Sequence, residues 1–323
     1  MSSPQRPSKV RDGSIELFRW ICILAVLVQH SVFPARQSPA TVESLLVLKS
    51  LLLWCVPGFF FVSGWFTNPS DGFVALLGNR AKRLLLPYLG VNLLIIAGML
   101  ALIHSGLYLP KDHELWNLKY IAIRMVYLQG VGPQFYFLPY LFLVTLLTVA
   151  TVKAAGRTGG FALWCAALAA LCLGHGLPAT SLGSELDRMP LYCAAFAAGM
   201  ALRDGFCTRT TWALAVGALA TGLGLAIAGA GTSIFHGFVA IPIFYALRGL
   251  FGKRDLRWLS GWNSGAVYLW HAPFILTACS IAWFKVGARD GLGLSLALLS
   301  TVVACQLIQR LIARTPLAPY LSL

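Results

Sequence analysis

IELFRWICILAVLVQHSVF, residues Ile15 to Phe33, decides the fold, because it is apolar enough to cross a bilayer and yet carries Arg19 and His30. Ionisable side chains inside such a segment are costly and need a partner or a task. At ~100° and ~1.5 Å per helical residue, the step from Arg19 to His30 turns through roughly three revolutions and rises about 16 Å. Both side chains therefore lie on nearly one face, a cation near one membrane surface and an imidazole near the other. Glu16 stands one turn before Arg19 on the same side and is placed to pair with it. A secretory signal has a shorter apolar region and no reason to hold these two groups, so the segment is expected to be retained.

The rest of the chain repeats the pattern. Of its 323 residues 58% are hydrophobic and 11% charged, mean hydropathy is +0.75, and several runs approach the ~20 apolar residues of a spanning helix. The fold class is all-α, a polytopic integral membrane protein. Spanning helices are expected at about 15–33, 45–66, 84–104, 135–152, 161–176, 188–202, 211–229, 233–250, 260–284 and 291–312, about ten in all. Residues 1–14 read as a polar, basic cytoplasmic tail, 15–312 as one membrane domain, and 313–323 as a cytoplasmic C-terminal tail. Most of the 25 Lys and Arg fall in stretches that this arrangement puts inside, which supports both termini in the cytoplasm. The longest loop, 105–134, lies outside and contains an amphipathic piece, Trp116 to Tyr127, that either rests on the interface or covers a pocket.

A net charge of +14 raises nucleic acid as a partner, but the basic residues sit in short clusters between apolar runs, where they set topology and meet anionic lipid. No nucleic acid partner is expected. The eight cysteines lie within or at the ends of apolar segments without CxxC or Cys/His spacing, so they read as small core residues and no metal site is expected. No nucleotide loop of the GxxxxGK[ST] kind occurs.

Few residues remain to carry chemistry. Arg80 and Arg83 lie three apart just before the third expected helix, on one helical face, where guanidinium forks grip phosphate in bidentate fashion; taken alone, the spacing more often marks, with Lys82, a positive-inside anchor. His30, with an ordinary pKa near ~6.5, suits general base work on a sugar hydroxyl, although a lone histidine near a helix end is more often structural. His271 lies midway along the ninth expected helix, where Pro273 loosens the backbone, and either histidine fits as base or binder. His104, His113, His175 and His236 fall at segment ends or in loops and read as interfacial. Glu185 and Asp187, in the outer loop before the sixth expected helix, are the carboxylates best placed to orient an outward histidine. From these residues alone an enzyme and a transporter with a buried His/Arg path stand level. Paired broken helices in matching halves would mark the transporter, and no such internal symmetry is visible.

Several stretches in order resemble the bacterial acyltransferase-3 family of membrane acyltransferases. They are Glu16-Leu17-Phe18-Arg19 with His30, then Phe60-Phe61-Val62-Ser63-Gly64, then Arg80 and Arg83. Gln134 to Leu138, Phe196 to Met200, and Tyr268-Leu269-Trp270-His271 continue the likeness, which covers roughly residues 12 to 312. The resemblance implies transfer of an acyl group, commonly acetyl, from acyl-CoA to an acceptor that is often a sugar of a surface or exported glycan or a lipid-linked sugar, in the bacterial inner membrane. It implies His30 as the catalytic imidazole, Arg19 as a donor-site or structural cation, and Arg80 with Arg83 as the pair facing the CoA phosphates. His271, Glu16, Glu185 and Asp187 are the further candidates for binding or orienting substrate.

Overall fold

The computed structural model describes residues 13–31, 39–70, 72–106, 118–132, 134–174, 186, 188–203, 216, 220, 233–251 and 256–323. Among the described residues every regular element is helical. Five stretches are long and apolar enough to cross a membrane: Gly13–His30, Ala40–Trp65, Phe73–His104, Phe137–Ala170 and Asp290–Ile312. The expected helix at 211–229 falls outside the described residues apart from Val216 and Ala220.

Helix α1, Gly13–His30, is the hub, packing on helices from both halves of the chain. The expected second span is two helices, α2 (Pro39–Leu51) and α3 (Cys55–Trp65), interrupted at residues 52–54. Pro57 explains the break, since its ring clashes with the carbonyl four residues back and it offers no N–H. Helix α4, Phe73–His104, starts eleven residues before the expected 84. Hydropathy marks only the part of a helix that lies in lipid, whereas α4 at ~1.5 Å per residue is about 48 Å long and overshoots a ~30 Å hydrocarbon core. Arg80, Lys82 and Arg83 consequently ride on its opening turns and not in a loop.

After α4, helix α5 (Leu118–Val126) falls within the amphipathic piece read from the sequence. The turn that follows it is tied to α4 by Asn92, whose Nδ2 donates to Tyr88 O at 2.6 Å and whose Oδ1 accepts from Val131 N at 2.6 Å. Helix α6, Phe137–Gly174, contains Gly156 at φ 73°, ψ 173°, in the region that glycine alone enters freely. Trp164 Nε1 donates to Thr151 Oγ1 at 3.0 Å, although thirteen helical residues would separate them by about 20 Å. The chain therefore doubles back at Gly156, and α6 is two antiparallel arms, at the places expected for the fourth and fifth helices.

Helix α7, Met189–Arg203, is buried from Leu191 to Leu202 between α3 and α6. Helix α8, Ser233–Phe251, packs on α1, α3 and α7. The short α9 (Arg257–Ser260) leads to α10 (Ser264–Trp270), whose N-cap Asn263 accepts from Ala266 N through Oδ1 at 3.2 Å. The expected span at 260–284 is not one helix: a π-turn at His271–Ile275 separates α10 from α11, Leu276–Lys285. Ala272 sits at φ −119°, ψ 157°, the extended backbone that a following proline imposes, and Pro273 follows it. Helix α12, Asp290–Ile312, packs on α10 and α11.

Residues 313–323, expected to be a tail, fold back onto the bundle. Helix α13, Ala318–Leu321, packs on α4, Leu321 is buried, and Asn263 Nδ2 donates to Leu323 O at 2.8 Å. Replacing Leu321 by Asp removes roughly 2–3 kcal/mol of apolar burial and unseats this segment. Trypsin cleavage after the exposed Arg314 should then accelerate at least tenfold, and an unchanged rate would show that Leu321 does not hold the segment.

Candidate active site

The site is assembled around α1. Arg19 Nη1 lies 3.2 Å from each carboxylate oxygen of Glu16, one turn away, so the expected ion pair is formed. From α4 come Arg80 and Arg83, three apart on one face. Arg80 Nη2 donates to Thr67 Oγ1 at 2.8 Å, and Thr67 Oγ1 donates to Ser63 O at 2.7 Å, which fixes the guanidinium against the last turn of α3. Arg83 is exposed.

Glu16, Arg19, Arg80 and Arg83 line one cavity of about 510 Å³, with Leu323 of the folded-back segment on its wall. Three guanidinium groups against one carboxylate give it a net positive lining suited to a phosphorylated or carboxylated ligand. Phe59, Phe137 and Tyr268 supply an aromatic part of the wall. The Tyr268 ring lies 5.1 Å from Phe137 and 6.5 Å from Phe59, centroid to centroid. Its hydroxyl donates to Gln134 O, and Gln134 Nε2 donates to Ala272 O, a carbonyl beside the break before Pro273.

Tyr268 also touches the second group. Its ring centroid is 6.2 Å from that of His271, which is 5.3 Å from that of His30. His30 is half-buried at the end of α1, and His271 is fully buried. The Nδ1 atom of His271 lies 3.0 Å from Val267 O and 2.8 Å from Tyr268 O. Carbonyl oxygens only accept, so Nδ1 carries the proton and Nε2 presents a lone pair. That Nε2 is buried and has no hydrogen-bond partner among the described residues.

Of the residues singled out in the sequence, the structure gathers Glu16, Arg19, Arg80 and Arg83 in the cavity and sets His30 against His271 behind Tyr268. Neither histidine is among the described residues lining the cavity. Glu185 and Asp187 lie outside the described residues. Sequence reasoning gave no role to Tyr268, Gln134, Thr67 or Leu323. Tyr268 had a signal, being three residues before His271 and so on its helical face. The other three reach the site only through tertiary contacts.

Fold and site together define a helical membrane protein with a cationic cavity whose wall residue Tyr268 touches buried His271, which in turn lies against half-buried His30. A family model described as an acyltransferase domain, that of acyltransferase-3, matches residues 12–310, nearly the whole chain. The chain belongs to the acyltransferase-3 family, which implies acyl transfer and disfavours the transporter reading. No curated protein and no solved structure gives a significant match.

Proposed function

We propose that the protein moves an acyl group, acetyl in the first instance, from acyl-CoA to a hydroxyl of a surface or exported polysaccharide sugar or a lipid-linked precursor, in the bacterial inner membrane. Both termini then face the cytoplasm, and the cavity opens there to receive the CoA phosphates on Arg80 and Arg83, with Arg19 deeper. The observation that carries this reading is that the three arginines share one cavity whose wall residue Tyr268 also touches His271, the ring that lies against His30. The rise of about 16 Å from Arg19 to His30 is of the order of a pantetheine arm, so a thioester reaching past Tyr268 arrives beside His30. Holding donor and acceptor there supplies much of the rate enhancement through proximity.

In the reaction His30 takes the acceptor hydroxyl proton as the new oxygen–acyl bond forms and the thioester C–S bond breaks. That is the direct route; on the alternative route His30 first takes the acyl group as the C–S bond breaks, and the acceptor oxygen then displaces the imidazole, whose freed nitrogen takes the hydroxyl proton. On either route CoA leaves as thiolate and takes up the proton from the imidazolium, which regenerates the base. Acyl-CoA is a substrate and not a resident cofactor.

The test is transfer from radiolabelled acetyl-CoA to endogenous glycan in membranes carrying wild type or Arg80→Ala with Arg83→Ala, at matched expression. Charge-assisted hydrogen bonds contribute about 1.5–3 kcal/mol each, so the double variant should raise the KM for acetyl-CoA by at least tenfold. An unchanged KM removes these arginines from the donor site. Wild type that labels no glycan from any of several acyl-CoA donors would leave the transporter as the better reading.

A further inference from the structure

The buried Nε2 of His271 is an acceptor in search of a donor. Among the described residues, two ionisable side chains stand by His30: the His271 ring, and Lys49 beside the next residue, Ser31. Lys49 Nζ donates to Ser31 O at 2.8 Å, just past the end of α1, and an ammonium has no lone pair to offer an N–H. His271 has one, on Nε2, and its tautomer is set by two backbone carbonyls. A centroid separation of 5.3 Å lets facing ring nitrogens approach to about 3 Å, a normal hydrogen-bond distance.

We propose that His271 is the positioning residue of His30. A small rotation of the His30 ring brings the N–H of its nearer nitrogen onto the unpartnered Nε2 of His271, which fixes the His30 tautomer and leaves the farther nitrogen with the lone pair that meets the acceptor hydroxyl. The inference rests on the acyl-transfer reading for its chemistry, but not for its geometry. When His30 becomes an imidazolium, the bond to His271 Nε2 strengthens, because the donor is then charged. The carbonyls of Val267 and Tyr268 hold the His271 ring by its other nitrogen, so the two histidines form the base-and-orienter arrangement found where a third group aligns a catalytic base. The π-turn contributes by starting at His271, where the broken helix delivers this ring to the end of α1.

Nitrogen-15 NMR of histidine in the purified full-length chain tests the geometry, with wild type, His271→Gln and His271→Phe compared and signals assigned by their loss in the His30 and His271 variants. Glutamine keeps an acceptor near the Nε2 position, and phenylalanine keeps the ring without one. Wild-type His271 should show the Nδ1–H tautomer. His30 should show a single tautomer in wild type and in His271→Gln, and a mixture in His271→Phe. A His30 spectrum that is the same in all three overturns the proposal, whether or not the protein transfers acyl groups.

Turnover tests the consequence. His271→Phe should lower kcat by roughly 10²-fold, at the lower end of the range for general acid–base catalysis, with the KM for acetyl-CoA within twofold of wild type. His271→Gln should recover at least tenfold of that loss. Equal losses in the two variants, or a loss confined to KM, would assign His271 to packing and sink the positioning role. The expected NMR pattern in a protein without acyl transfer would uphold the pairing and overturn the proposed function instead.

Discussion

His30→Ala will abolish acyl transfer, by roughly 10³-fold or more in kcat, while CoA binding stays within about twofold of wild type. The magnitude follows from the ~10²–10⁴-fold that a positioned general base contributes, with a further loss if the imidazole also carries the acyl group. The selectivity follows from the structure. His30 does not line the cavity that holds Arg19, Arg80 and Arg83, and it stands at the last residue of α1, where truncation leaves the helix and its Glu16–Arg19 pair intact. The measurement is single-turnover acyl transfer beside CoA binding by filtration, on membranes with matched protein levels. Activity within tenfold of wild type would exclude His30 as base and as acyl carrier. A parallel loss of CoA binding would mean that α1 positions the cavity through His30, so the two halves of the site would not be separable as described.

The sequence disclosed the first-helix chemistry because that chemistry is local. Glu16 and Arg19 are one turn apart, so helical geometry alone puts them together, and the same geometry puts Arg80 beside Arg83. It was also enough to anticipate that Pro273 disturbs its helix, although not that the break forms a π-turn at His271. Three features were hidden. The pairing of His30 with His271 joins residues far apart in the chain, and no periodicity encodes which helices become neighbours. The early start of α4 was hidden because hydropathy reports lipid contact and not helicity. The folded-back segment at 313–323 was read as a tail because it is too short to span, yet its burial depends on α4 supplying a seat. For the histidine pair and the folded-back segment, tertiary packing, absent from any window of sequence, decided the outcome.

Gly199→Leu will cost most of the folded protein, and Gly64→Leu will do the same. A Cβ on Gly64 would lie 1.9 Å from Phe196 O, and a Cβ on Gly199 would lie 2.0 Å from Phe61 O. Each glycine faces the backbone of the other helix across α3 and α7, and backbone has no rotamer to move aside. This is the close crossing that small residues permit between membrane helices, where lipid offers no hydrophobic drive and backbone contact must supply the attraction. It gives a physical reason for two of the stretches that carried the family likeness, Phe60 to Gly64 and Phe196 to Met200. The adjoining stack of Phe60 on Tyr192, centroids 4.4 Å apart and planes within 13°, depends on the same separation. Overpacking an ordinary core costs about 1–3 kcal/mol, and a clash with fixed backbone on both sides belongs at or above the top of that range. Forcing α3 outward would also displace Phe59 and Ser63 from the cavity wall and loosen the Thr67 anchor of Arg80. Gly98→Leu is the control, since nothing lies within 4 Å of a Cβ placed there. Size-exclusion profiles and thermal melts of detergent-purified protein should show aggregation or a Tm lowered by more than about 5 °C for the two contact variants, and wild-type behaviour for the control. A Gly199→Leu melt indistinguishable from wild type would mean that α3 and α7 do not cross at these glycines.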